Sequence, residues 1–223
     1  MNINVMSFYY APRAFRAEEK EQAIRDLIEA AVPDRDFYIL VIGAVLLAFS
    51  GIFLDSIPVL IASMIVAPLA YPILSLGLGL AAGDAKLAAR SLALLCIAVV
   101  LAILFAGAGS YVAAHVLHAT SERTAILFSP NYFFDIFIAL VSGAIAAYGL
   151  MRSKVGSAMT GIGIAVSLMP PLVATGMELA LAHYGLAGDA FIIFILNVLG
   201  ILFASSIVFS LFGFRRRYEH MKR

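Results

Sequence analysis

From Ile57 to Ala82 the chain carries no charged residue, and Pro68 and Pro72 sit inside that run. No other stretch constrains the fold as much. An α-helix needs about 20 consecutive apolar residues to cross a hydrocarbon core of roughly 30 Å. There a broken helix is tolerated only where protein or water meets its freed polar groups. Proline lacks an N–H and clashes with the preceding turn, so each of the two is expected to free a carbonyl. The stretch reads as a membrane span interrupted partway.

Comparable runs recur along the chain. Six spans are predicted: Phe37 to Leu54, Ile57 to Ala82, Leu87 to Val112, Tyr132 to Met151, Gly156 to Ala182 and Ala190 to Phe212. Turn and cap residues separate several of them, at Asp55-Ser56, Gly83-Asp84, Ser153-Lys154 and Gly188-Asp189. Composition agrees: 63% of the residues are hydrophobic and 13% charged, against about 45–50% and about 25% in soluble domains. Cys96 is the one cysteine, which excludes an intrachain disulfide. The N-terminus has no short apolar core with a cleavage site, so a cleaved signal peptide is not expected.

Charge sets the expected orientation. Of the 15 Lys and Arg residues, all but Arg123 fall on one side of this topology. The positive-inside rule then places both termini in the cytoplasm, in the expected setting of an inner (plasma) membrane. The expected organisation is a cytoplasmic segment over 1–36, a six-span domain over 37–213 and a basic tail over 214–223. The first of these is expected to hold an amphipathic helix between Pro12 and Val32, with Phe15, Ile24, Leu27, Ile28 and Ala31 on one face. Two readings are open for it: docking on the membrane surface or bundle, or a solvated helix leading into span one. Tyr38, Tyr132, Phe133, Phe134 and Tyr218 fall at expected interfaces, as an aromatic belt would.

A shift of 103 residues lays Ile61–Ala70 on Ile164–Val173, with a proline matched in each copy, and Ala-Gly-Asp-Ala follows in both halves. Three spans per copy make the second copy inverted. The fold class expected is an all-α membrane protein: six transmembrane helices as a 3+3 inverted-topology repeat, with helices two and five broken. Paired breaks near the midplane are a sequence pointer to a binding or permeation site. The candidate site is Ser63, Met64, Pro68, Tyr71, Pro72 and Ser75 with Ser167, Met169, Pro170, Pro171 and Thr175. The bland alternative is helix kinks made for packing, with Ser and Thr bonding their own backbone.

Ser56, Ser63, Met64, Ala67, Pro68, Leu69, Pro72, Gly77, Gly83 and Asp84 form a pattern of their own. It resembles the signature of a family of prokaryotic hydrophobic membrane proteins known as domain of unknown function 389. Gly161 to Gly176 resembles that family's second proline-bearing segment, and the resemblance covers Phe37 to Phe212. It implies a membrane fold and no settled activity.

Other polar residues each have two readings. Asn197 lines the cavity or makes an interhelical hydrogen bond. Asp135, at the outer end of span four, is a proton or cation relay or an interfacial cap. Asp55 and Glu178 read as a cap and a surface charge. His115, His118 and Glu122 have helical spacing but no evident fourth ligand, so no metal site and no cofactor are expected. Small-residue stretches at Phe105–Ser110, Ser142–Ala147 and Gly156–Gly163 allow close helix approach, within one subunit or between copies. The chain lacks a phosphate-binding loop and a nucleophile set, so it is not expected to be an enzyme.

The function expected is transport of a small solute or ion by a secondary transporter. A channel is the first alternative, and a scaffold or sensor the second. Expected partners are the lipid bilayer, the solute or ion, and further copies as a homo-oligomer, with no nucleic acid.

Overall fold

The computed structural model describes residues 21–22, 24–29, 31–116, 118, 131–150 and 168–212. Every regular element among them is α-helical. The expectations for Phe15, Glu122, Arg123, Ser153, Lys154, Ser167 and the basic tail lie outside these residues.

Helix α1 (Arg35–Phe53) starts at Asp34, whose carboxylate accepts from the Phe37 N–H at 2.7 Å. It closes at Asp55, in the left-handed region with φ 53°, and Ser56 N–H bonds back to the Gly51 carbonyl at 2.8 Å. Helix α2 (Ile57–Val66) ends where the sequence demands. Ala67 precedes a proline and is excluded from helical ψ, and it adopts ψ 122°. Helix α3 (Ala70–Ala82) then sets off at 49° to α2. Pro72 lies in its first turn, where no N–H donor is needed. Pro68 therefore breaks the span, whereas Pro72 starts the next helix; the expectation that both act as breakers is corrected. Gly83 at φ 71° ends α3, and Asp84 caps α4 (Ala85–His115) through the Lys86 and Leu87 N–H groups at 2.9 and 3.1 Å.

Helix α5 (Tyr132–Leu150) is followed, among the described residues, by α6 (Met169–Ala180), with Pro170 and Pro171 in its first turn. Ala182 at φ 60° ends α6, and α7 (Tyr184–Leu211) begins from His183. The break expected at Gly188-Asp189 is displaced: both residues lie inside α7, and the turn is Leu181–His183. An Asp near a helix start is favourable inside the first turns as well as at the cap, so Gly-Asp alone does not fix the boundary.

Helices α1, α4, α5 and α7 are each long and apolar enough to cross a membrane, and the bent pair α2–α3 makes a fifth candidate. The protein is a multi-pass membrane protein. Their outer faces carry exposed Ile39, Leu104, Phe133, Ile145 and Phe203, as lipid-facing surfaces do. Lipid is as apolar as these side chains, so helices associate through close packing of small residues. Gly143 faces the Ile201 backbone and Gly200 faces Ala139, which joins α5 to α7.

Helices α3 and α6 occupy matching places. Each packs on both α4 and α7. A Cβ on Gly77 would lie 2.6 Å from Ser205 Oγ of α7, and one on Gly176 would lie 2.9 Å from Ala106 Cβ of α4. Both helices end in the same pair of reversed bonds. Gly83 N–H reaches Leu80 O at 3.2 Å and Asp84 N–H reaches Gly79 O at 2.8 Å; Ala182 N–H reaches Leu179 O at 3.2 Å and His183 N–H reaches Glu178 O at 2.9 Å. One shift of 99 residues relates Pro72 to Pro171, Gly77 to Gly176, Gly83 to Ala182, Ala106 to Ser205 and Asp36 to Asp135. The sequence match at a shift of 103 pairs Pro68 with Pro171 instead.

Candidate functional site

The break at Pro68 opens onto a cavity of about 370 Å³. Its floor is Pro68 and Tyr71, from the junction and first turn of α3. Phe37 and Leu40 of α1 form an apolar wall. The mouth carries four carboxylates: Asp26 and Glu29 from the N-terminal segment, and Asp34 and Asp36 from the start of α1. By chain order this mouth lies on the side of Arg35, Lys86 and Arg90, the side richest in basic residues. Local structure explains the arrangement. Asp34 and Asp36 flank a helix start, where negative charge is favoured, and the proline junction keeps α3 from continuing along α2.

The described part of the N-terminal segment, from Glu21 to Val32, docks on the bundle, as the first of its two readings expects. Ile24, Leu27 and Ala31 are fully buried, and Ser75 Oγ donates to the Leu27 carbonyl at 2.6 Å. Its helical spacing puts Asp26 and Glu29 on the other face, toward the cavity mouth.

The remaining candidates divide. Pro68 and Tyr71 meet at the cavity. Pro72 is buried behind them, and Met64 packs against the core. Ser63 is buried and its Oγ donates to Leu60 O at 2.6 Å, while Thr175 Oγ1 donates to Pro171 O at 2.8 Å; both hydroxyls serve their own helix. Met169, Pro170 and Pro171 are fully enclosed, and every residue from Met169 to Glu178 is buried. None of them lines the cavity. Helix α2 packs against α6, so the first half of span two touches the sealed element directly. Asn197 is buried in α7. His115 stacks on the Tyr111 ring, with centroids 4.3 Å apart, and its Nδ1 lies 3.1 Å from the Tyr111 carbonyl.

Two residues stand out against their sequence reading. Glu178 was expected at the surface; it is 1% exposed, and its Oε2 lies 2.7 Å from Nδ1 of His183, whose side chain is 57% exposed. A carboxylate enclosed in a membrane bundle marks function or a structural pin, and here it also ties the turn between α6 and α7. Its i, i+5 pairing across a turn has no simple sequence signature. Asp135 sits in the first turn of α5, and its Oδ2 is buried with no hydrogen-bond partner among the described residues. Its counterpart Asp36 lines the open cavity.

Sequence comparison places this architecture. Residues 64–203 match the family described as domain of unknown function (DUF389). The chain belongs to the DUF389 family. The matched region runs from the junction of the bent span through most of α7, so both proline-started half-helices are DUF389 features. A relative is an uncharacterized protein of Methanocaldococcus jannaschii, 29% identical over 202 residues. The alignment takes in 88% of this chain and 62% of that protein, so the chain spans less than two thirds of its relative's length. No solved structure matches.

Proposed function

We propose that this DUF389 protein is a secondary transporter that moves a small solute or ion through the centre of its bundle. The observation that carries the reading is the cavity lined by Pro68 and Tyr71 at the interruption of span two. Interrupted backbone within a membrane span is stable where it lines a wet space, and there carbonyls and amides can offer a solute partners. The four carboxylates at the mouth favour a neutral or cationic solute over an anion. At α6, Pro170 and Pro171 remove two of the first-turn amides that would cradle an anion.

The matching placement of α3 and α6 supports a three-plus-three inverted repeat of six spans. Such a repeat works by rocking one half against the other about a central site. In this conformation the break of span two is open to one side, and the start of α6 is sealed. The sealed end favours alternating access over an open pore. The same reading places the unit in a prokaryotic plasma membrane with both termini in the cytoplasm, associated with further copies, and acting without catalysis.

Flux into proteoliposomes tests the proposal, with a panel of small neutral solutes, organic amines, weak acids and monovalent cations. The expected result is saturable uptake of neutral or cationic members and loss of most of it in Leu40→Trp, which fills the cavity. Uptake that never saturates would make the protein a channel. A folded wild type that moves nothing on the panel would leave a scaffold or sensor.

A further inference from the structure

We infer that the segment from Glu21 to Val32 is a lid over the cavity mouth, able to leave it as a unit and thereby control access to Pro68 and Tyr71. The inference builds on the transport reading for its consequence, while its geometry stands separately. The other walls belong to α1 and to the junction and start of α3, inside the bundle. The wall that holds Asp26 and Glu29 is the N-terminal segment, which precedes the first span.

Its attachment is narrow. Ile24, Leu27 and Ala31 make one buried stripe, and the opposite face holds exposed Gln22, Arg25, Asp26 and Glu29. The last turn tightens, with Ala31 N–H donating to Ile28 O at 3.3 Å and Val32 N–H to Glu29 O at 3.0 Å. The Leu27 carbonyl is then held by the Ser75 hydroxyl of α3, a buried bond across the interface. The pivot is equally defined. Asp34 caps α1 on its own, so α1 keeps its start when the segment beyond Pro33 moves. Opposing the seat, Asp26 and Glu29 share the mouth with Asp34 and Asp36, and like charges around one opening repel. A short apolar stripe and, among the described residues, the Ser75 hydrogen bond against that repulsion make a seated state that narrows the open mouth, with a low-lying unseated one.

The test uses the full chain in lipid vesicles with Cys96→Ser, which removes the exposed native thiol, and Tyr71→Cys as the reporter. A membrane-impermeant maleimide is applied from the mouth side. Labelling is expected to be slowed but not blocked in this parent, about tenfold faster with Leu27→Asp, and about two- to threefold faster with the gentler Ser75→Ala. Lys86→Cys, exposed at the start of α4 on the mouth side, reports the fold and should label alike in every background. If Leu27→Asp disturbs that control, Ser75→Ala decides alone. Equal Tyr71→Cys labelling in parent and variants, whether fast or slow, overturns the lid. Labelling needs no solute, so the lid is decided even if the vesicles transport nothing. Flux together with lid-independent labelling would keep the transporter and remove the lid.

Discussion

The two proline-started half-helices share a design and differ in surroundings. At α3 the first turn faces a cavity, and Pro68 and Tyr71 are only half enclosed. At α6 the first turn is surrounded by α1, α4 and α7, and Met169, Pro170 and Pro171 are buried. The glycine contacts, the reversed bonds at the C-terminal ends and the helix partners correspond. On the proposed transport reading, open and sealed would be two settings of one device, the condition a rocking mechanism requires.

The largest effect expected from breaking this correspondence is at Gly176. Its Cβ position is 2.6 Å from the Ile103 carbonyl and 2.9 Å from Ile103 Cα, both backbone atoms that cannot step aside. Gly176→Leu should cost about 3 kcal/mol in a detergent unfolding assay. Gly77 meets chiefly the Ser205 hydroxyl, which has another rotamer, so Gly77→Leu should cost about 1–2 kcal/mol. The reverse order would mean that α3, not α6, is the more tightly held copy.

The second comparison is between the paired acids. Asp36 is exposed at the cavity, whereas Asp135 holds an oxygen buried without a partner among the described residues. Asp135→Asn should leave stability unchanged or raise it by about 1 kcal/mol, since it removes the cost of enclosing part of an unsatisfied carboxylate. Asp36→Asn should leave stability unchanged and alter uptake of cationic solutes. A stability loss of similar size at both positions would show that the acids are structural caps in both halves.

The smallest effects sharpen the same contrast at hydroxyls. Ser75 bonds across an interface and Thr175 within its own helix. Ser75→Ala should cost about 0.6–1 kcal/mol, and Thr175→Ala a few tenths. Equal costs would remove the distinction between a docked segment and a self-bonded helix.

Much of this was legible in the sequence because hydrocarbon permits few arrangements. Apolar length located the spans, and the ban on helical ψ before proline put the break at Ala67. The small residues at Gly107 and Gly143 marked contacts that were then found. The helical stripe Ile24, Leu27, Ile28 and Ala31 gave the docking face, but not what it docks on. Three features were hidden. The register read from the sequence rests on apolar residues, which match cheaply; the close contacts of Gly77 and Gly176, which fit a shift of 99, are visible only once their partners are known. Glu178 was read as a surface charge because nothing in its neighbours along the chain reports that His183 folds back onto it. The cavity joins residues from Asp26 to Tyr71, brought together by the docking of a segment that sequence alone leaves free to float.

The most direct test of the central claim is solute flux in proteoliposomes by wild type and by a Pro68→Ala, Pro171→Ala double variant, with equal folding verified by monodispersity and by unaltered unfolding. If the interrupted helices are the path, wild type transports a neutral or cationic solute saturably and the double variant loses that transport while remaining folded. Transport undiminished in a folded double variant would contradict the account and leave the prolines as packing devices.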